Sequence, residues 1–594
     1  MTALLEIRNL NVYFATPDSD VHAVKDVSLT IGESECLGVV GESGSGKSQL
    51  FLGAMGLLAS NGRASGSVLY RGQEILGAPA ASLNRLRGAK ITTIFQDPLT
   101  SLTPHMTVGA QIMEALNSHR ALPRDEARAR VREMLEYVRI PDAARRMTQY
   151  PHELSGGMRQ RVMIAMATIT GPDLLIADEP TTALDVTVQA QILEILRALK
   201  SDKKTAIALI SHDMGVIAGN ADQVQVMRSG RIVEQGPVDN IFYAPQQDYT
   251  KMLLAAMPRA ADPGPDTSPR QELLLDVRDL KVSFPVSQGI FAKAKELRAV
   301  DGVSFTLRAG ETLGVVGESG CGKSTLARAV LQLLPADKGK VLWLGRDLTE
   351  ESREDIRRQR RGFQIVFQDP LASLDPRMPV GVSIAEPLKA LEPGLSRADI
   401  AARVRAMMQK VGLEPEWINR YPHELSGGQN QRVGIARAMI IAPRMVVCDE
   451  AVSALDVSIQ AQIVDLLKGL QAETGLAMIF ISHDLAVVRR LSHRVMVLYL
   501  GRVVEMANSD ALYRDPRHPY TRALLAAAPT PDPRHERTRP RALLTGDLPS
   551  PLDRRAQLSF LKSKRIDDAE ADQYRPLLIE EAPGHFVAEH DPVI

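Results

Sequence analysis

CLGVVGESGSGKS at residues 36–48 and TLGVVGESGCGKS at residues 312–324 decide how the whole chain is read. In each, a short apolar stretch reads as a buried strand, and the octet after it fits G-x-x-x-x-G-K-[ST], a loop that opens a helix. The residue types answer a physical need. Gly41, Gly44 and Gly46, with Ser43 among them, bring backbone N–H groups around an anion with no side chain in the way; Gly317, Gly320, Gly322 and Ser319 do so in the second copy. Lys47 and Lys323 reach the terminal phosphates of a nucleotide, and the hydroxyls of Ser48 and Ser324 meet Mg2+. One match could be a bare glycine turn. Two in equivalent settings are a nucleotide signature.

The setting is a long internal repeat. LLEIRNLNVYF (residues 4–14) returns as LLLDVRDLKVSF (273–284), YPHELSGG begins at Tyr150 and Tyr421, and SHD begins at Ser211 and Ser482, the last two pairs each 271 residues apart. Solenoid repeats run to about 20–50 residues, so each copy here is a whole domain. The expected boundaries are a first domain at 1–257, a Pro-, Asp- and Ser-rich linker at 258–271, a second domain at 272–530 and an extension at 531–594.

Composition narrows the function. The 594 residues are 44% hydrophobic and 24% charged, enough for real cores, which excludes wholesale disorder. Lys plus Arg and Asp plus Glu are both 71, so nothing in the charge favours a nucleic-acid partner. No apolar run approaches the length of a membrane span, and the N-terminus lacks a basic segment followed by an apolar one, so a cytosolic chain is expected. Cys36, Cys321 and Cys448 form no CxxC pair; Cys36 and Cys448 read as small buried hydrophobes.

Two further strands end in acids: DLLIAD runs into Glu179 after Asp178, and RMVVCD into Glu450 after Asp449. Strands of a parallel sheet deliver such groups beside the phosphate loop, where the first acid holds Mg2+ and the second orients or deprotonates an attacking water. ALISHD and IFISHD place His212 and His483 at strand ends, within reach of a terminal phosphate. Gln96 in IFQDP and Gln368 in VFQDP are suited to hold a water or Mg2+.

LSGGMRQR (residues 154–161) and LSGGQNQR (425–432) resemble the signature sequence of the ATP-binding cassette superfamily, and the order of motifs in each half is similar to that family throughout. The resemblance implies two tandem α/β P-loop domains, each with a mostly parallel core sheet, an antiparallel β subdomain and a helical subdomain. It assigns adenine stacking to Phe14 and Phe284. It also implies head-to-tail pairing, with one ATP enclosed by Lys47, Gln96, Asp178, Glu179 and His212 with the signature Ser426, Gly427 and Gly428. The other is enclosed by Lys323, Gln368, Asp449, Glu450 and His483 with Ser155, Gly156 and Gly157. Met158 stands where the second signature has Gln429, and Ala451 where the first acidic pair is followed by Pro180. Both departures fall in the second composite site, which is expected to hydrolyse more slowly.

The segments from FQDP onward, and HPYTRALLAAAP (518–529) with its echo DYTKMLLAAMP, look like the dipeptide, oligopeptide, glutathione and nickel importer branch. That resemblance implies ATP and Mg2+ as ligands, two transmembrane permease subunits and, indirectly, a solute-binding protein as partners, and a peripheral place on the cytoplasmic face of the cell membrane. The cargo stays open among peptides, glutathione and nickel. No cysteine follows Cys448, so no iron–sulfur cluster is expected in the extension. The rival reading, a tandem-cassette ATPase acting on ribosomes, typically has a long charged helical linker, unlike 258–271.

Overall fold

The computed structural model describes residues 3–17, 19–182, 184–257, 264–265, 270–286, 295–453, 455–539, 549–550, 552–553, 555–561, 563–564, 566–571 and 574–592. Most of the expected linker, 258–271, therefore lies outside the described residues. The chain forms two compact units. Unit 1 comprises Met1–Met257, Asp456–Ser458 and Pro529–Gly546; unit 2 comprises Pro258–Leu455, Ile459–Ala528 and Asp547–Ile594. The extension is thus divided between the two units.

In unit 1, β1 (Ala3–Phe14), β2 (Val21–Gly32), β4 (Gly62–Tyr70) and β5 (Gln73–Glu74) form an antiparallel sheet in the order β2-β1-β4-β5. The core sheet, in the order β10-β9-β3-β8-β7-β6, contains β3 (Cys36–Val40), β6 (Ile91–Ile94), β7 (Leu174–Asp178), β8 (Ala206–Ser211), β9 (Gln223–Arg228) and β10 (Arg231–Pro237). All neighbours are parallel except β10 on β9. CLGVV is buried throughout because both faces of a parallel strand are covered. Alternation divides the strand between two cores. Leu37 and Val39 pack toward the antiparallel sheet with Leu5, Ile7 and Phe51, whereas Cys36 and Val40 pack toward helices. The helical side includes Val108–Asn117, Arg124–Tyr137 and α2 (Gly156–Thr168).

Unit 2 repeats this plan. Its antiparallel sheet, β12-β11-β14-β15, is built from β11 (Leu273–Val286), β12 (Lys295–Arg308), β14 (Lys338–Trp343) and β15 (Arg346–Asp347). Its core sheet contains β13 (Thr312–Val316), β16 (Phe363–Val366), β17 (Met445–Asp449), β18 (Ala477–Ile481), β19 (Arg494–Tyr499) and β20 (Arg502–Asn508). Two strands of the extension, β21 (Leu578–Ala582) and β22 (His585–Ala588), lengthen it to eight in the order β16-β17-β18-β13-β19-β20-β22-β21. In each unit a helix leaves the glycine loop: α1 (Lys47–Ala54) and α3 (Lys323–Val330). The signature helix of unit 2 is α4 (Gly427–Met439). Among the described residues no helix is long and apolar enough to cross a membrane.

A buried carboxylate anchors the added strands. Glu505 on β20 is fully buried, pairs with His585 Nε2 at 2.7 Å and accepts from the N–H groups of Arg517 and His518 at 2.9 and 3.0 Å. A desolvated carboxylate needs that many partners. His518 in turn caps the helix Pro519–Ala527, its Nδ1 accepting from Tyr520 N–H at 3.1 Å. Burial, with His590 nearby, pushes its pKa down to about 3, so the ring stays neutral and able to accept. The cysteines are all buried, and burial pushes the thiols of Cys36 and Cys448 up to about 12.

For His518 the folded-state pKa lies below the ordinary 6.5. The unfolded chain then binds the extra proton, so stability present above about pH 6.5 is lost as pH falls toward 3. His518→Asn keeps a capping oxygen and removes the titration. Thermal unfolding between about pH 4 and 6.5 is expected to be less pH-dependent in this variant, and an unchanged slope would contradict the assignment.

Candidate functional site

The functional side chains of unit 1 gather at the C-terminal ends of the parallel strands: the glycine loop after β3, Glu179 after β7, His212 after β8 and Gln96 after β6. The loop is held by backbone crowding. A Cβ on Gly46, whose φ is 97°, would lie 2.5 Å from Ala23 O, and one on Gly41 would lie 2.2 Å from Met227 O. Unit 2 matches: Gly322 would meet Ala299 O at 2.0 Å and Gly317 would meet Leu498 O at 2.3 Å. Gly44 and Gly320 face open space with φ of 74° and 77°, where glycine serves the turn itself.

Lys47 curls across its loop, donating to the carbonyls of Gly41 at 2.7 Å and Glu42 at 2.9 Å; Lys323 does so to Gly317 and Glu318 at 2.7 and 3.0 Å. Burial lowers the Lys47 pKa, while Glu179 and other nearby carboxylates oppose the shift. Ser48 Oγ donates to Asp178 Oδ1 at 2.9 Å, and Ser324 Oγ to Asp449 Oδ1 at 2.8 Å. Burial raises both aspartates, and these serine hydrogen bonds pull them back. Within unit 1, Ser43 N–H also donates to Asp456 Oδ1 at 2.7 Å.

Glu179 and Glu450 sit at φ of 46° and 49°, a left-handed backbone that non-glycine residues hold only when the surroundings impose it. Glu179 is gripped from three sides: Gln96 Nε2 at 3.0 Å and Thr182 Oγ1 at 2.9 Å reach Oε2, and His212 Nδ1 lies 3.3 Å from Oε1. Burial alone would raise this carboxylate, but the His212 hydrogen bond and the other partners leave it below its ordinary value; the same bond raises His212. Glu450 is held more loosely. Gln368 Nε2 reaches it at 2.8 Å, His483 stands 3.9 Å away, and Ser453, at the position of Thr182, donates to the Glu450 carbonyl instead. Thr182 and Ser453 were not singled out in the sequence; their only signal is the contrast of TT with VS after each acidic pair.

Ser155 caps α2, accepting from Met158 N–H at 3.2 Å, and Ser426 caps α4, accepting from Gln429 N–H at 3.3 Å. Gln429 closes the reciprocal bond, its Oε1 accepting from Ser426 N–H at 2.8 Å. Methionine cannot, so the capping box is complete only in unit 2. Gly157 and Gly428 allow close packing, since a Cβ would lie 2.5 Å from Val188 and Ile459 respectively; Gly156 has open space beside it and Gly427 has only a distant leucine methyl. Phe14 and Phe284 lie on β1 and β11 of the antiparallel sheets.

Among the described residues no three His, Cys, Asp or Glu side chains converge as a metal cluster. Each unit does offer one serine hydroxyl, one aspartate and one glutamine amide oxygen. That hard oxygen set suits Mg2+, which takes few protein ligands and completes its shell with phosphate oxygens and water.

Two substitutions test this local account. Gly46→Ala places a methyl against a backbone carbonyl at a positive φ and is expected to destabilise unit 1 by about 2 kcal/mol or more, well beyond the roughly 1 kcal/mol for Gly44→Ala. Met158→Gln supplies the missing half of the capping box and is expected to add about 0.5 kcal/mol. Chemical denaturation of the full chain measures both.

The ABC transporter family matches residues 24–182 and 300–453, and the oligopeptide/dipeptide transporter C-terminal region matches residues 233–279 and 504–554. The glutathione import ATP-binding protein GsiA of Salmonella typhimurium is 45% identical over 98% of this chain and 96% of its own length. That of Escherichia coli K12 is 46% identical over 99% and 97%. Among solved structures, CbiO1 of Clostridium perfringens, part of the ABC transporter complex CbiONQ, is 27% identical, covers 41% of this chain and 92% of its own, and gives a TM-score of 0.36. The chain belongs to the ABC transporter family, as an ATPase with two ATP-binding cassettes.

Proposed function

We propose that this chain drives a solute importer at the cytoplasmic face of the cell membrane. It would hydrolyse ATP at two sites and act on two transmembrane permease subunits, with glutathione or a similar short peptide as cargo delivered by a solute-binding protein. The observation that carries the catalytic part is the twice-built cluster in which the glycine-loop serine bonds the first acid while glutamine and histidine flank the second. The names of the GsiA relatives support the cargo. The family match at residues 504–554 supports the importer branch.

In the proposed reaction the N–H groups of the glycine loop surround the β- and γ-phosphates, and the Lys47 ammonium turns from the loop carbonyls to the γ-phosphate. Glu179, ionised at neutral pH because its partners hold it below the usual carboxylate range, accepts a proton from the attacking water. The water oxygen bonds to the γ-phosphorus as the bond to the bridging oxygen breaks, and that electron pair leaves with ADP. Gln96 and His212 keep Glu179 aimed. When bound, Mg2+ neutralises charge on the phosphates; Ser48, Asp178 and Gln96 would hold it in one site, Ser324, Asp449 and Gln368 in the other.

The signature helices complete the sites: Ser426, Gly427 and Gly428 with Lys47, and Ser155, Gly156 and Gly157 with Lys323. Each helix start offers a serine hydroxyl and N–H groups to an anion. The site with Lys323 and Ser155 is the slower one, because Glu450 is less firmly held and α2 lacks its full cap.

Glu179→Gln is expected to lower steady-state ATPase by about 10²-fold or more, the scale of a lost general base, and Glu450→Gln by much less. Equal residual rates would end the asymmetry. In proteoliposomes carrying the permease subunits and binding protein, uptake of labelled glutathione is expected to require both Lys47 and Lys323. ATP turnover without glutathione-dependent uptake would reject the cargo.

A further inference from the structure

Residues 556–560 of the extension pack on the supports of the second glycine loop. In unit 2, Tyr520 is fully buried, and its hydroxyl accepts from Glu318 N–H at 3.1 Å and donates to Glu318 Oε2 at 3.4 Å. Glu318 is the second residue of the glycine loop. The turn after β19 holds the same loop from behind, Gly501 N–H donating to Cys321 O at 2.8 Å. Residues of the extension close over both supports. Phe560 packs on Tyr499 with centroids 5.3 Å apart, on His518 at 5.0 Å and on Tyr520 at 6.2 Å, while Tyr499 and Tyr520 lie 4.8 Å apart. Gln557 Nε2 donates to Leu500 O at 2.9 Å, and Tyr499 donates to Ala556 O at 3.5 Å.

Unit 1 has the inner contacts and a different cover. Tyr249, 271 positions before Tyr520, accepts from Glu42 N–H at 3.3 Å, and Gly230 N–H donates to Ser45 O at 3.0 Å. At the position of Tyr499 stands Arg228, an exposed side chain whose guanidinium lies 4.7 Å from the Tyr249 ring centre. A solvated cation over a ring fixes it less firmly than a packed set of aromatic rings.

We propose that the C-terminal extension is an intramolecular brace for the second glycine loop, with Tyr520 and the turn at Tyr499, Leu500 and Gly501 as positioning residues that transmit it. Tyr249 is the unbraced counterpart for the first loop. Because β22 is fixed to β20 and Phe560 covers the turn between β19 and β20, ordering the extension orders the loop whose N–H groups must be in place before phosphate arrives. The two sites therefore differ in how tightly they hold nucleotide. This rests on the reading of both glycine loops as ATP sites.

The test uses the full-length chain with one loop silenced. Lys47→Ala leaves the second loop as the binding site, Lys323→Ala the first, and a fluorescent ATP analogue reports affinity. Phe560→Ala, Gln557→Ala and Tyr520→Phe are each expected to weaken binding in the Lys47→Ala background by about three- to tenfold, the loss of roughly one hydrogen bond's worth of order. The two extension variants are expected to change it less than about twofold in the Lys323→Ala background. Phe560→Tyr, which keeps the ring, is expected to restore affinity, a rescue that loss of fold would not show, and Gln557→Ala covers the case in which Phe560→Ala fails to fold. Equal effects in the two backgrounds, or none in either, would overturn the brace. Nucleotide binding that survives Lys47→Ala and Lys323→Ala together would instead overturn the reading of the loops.

Discussion

Each unit depends on one hydrogen bond between a serine at the start of a helix and an aspartate at the end of a buried strand, 2.9 Å in unit 1 and 2.8 Å in unit 2. It ties the glycine loop to the strand that carries the second acid. Around it the geometry has little freedom. The first and third glycines of each loop lie so close to neighbouring carbonyls that no Cβ fits, and the glutamate after the first acid takes a left-handed backbone, its carboxylate reached in unit 1 by a glutamine and a histidine from two other strand ends. A parallel sheet makes this convergence possible because every strand delivers its C-terminal end to the same edge. The cost of burying an ammonium and two carboxylates together is offset by mutual attraction and by the loop carbonyls.

What the sequence disclosed was whatever the chemistry writes locally. The glycine loops, acid-ended strands, histidines, glutamines and signature caps are each contained in a few consecutive residues, so their types and spacing expose them, and the structure brings all but the two phenylalanines into clusters or caps. The mostly parallel sheets followed from strands buried on both faces. Less legible were features made by residues far apart. Nothing in residues 578–588 announces strands that pair with β20, because the pairing is specified by Glu505 meeting His585 eighty positions later. Thr182 and Ser453 look interchangeable in sequence, yet one hydroxyl reaches the carboxylate and the other its backbone carbonyl. The methionine in the first signature was visible as a departure, but its physical meaning, a capping box left half-closed, required the bond that Gln429 makes in the other copy.

A duplicated chain is free to let its halves diverge, and here the differences are not scattered. On the proposed pairing, the looser grip on Glu450, the wider spacing of His483 and the incomplete cap at Ser155 all belong to one site. The aromatic cover of Tyr520 by the extension belongs to that site too, yet it strengthens an element of binding. On the two proposals together, binding and turnover would move in opposite directions at the same place. If binding closes the pair and hydrolysis opens it, a site that holds firmly and cleaves slowly keeps part of the interface closed while the other site turns over. The partner membrane subunits would then meet a clamp that hinges about one retained nucleotide rather than one that falls fully apart in every cycle, so the asymmetry becomes a property of the motion and not only of the rates.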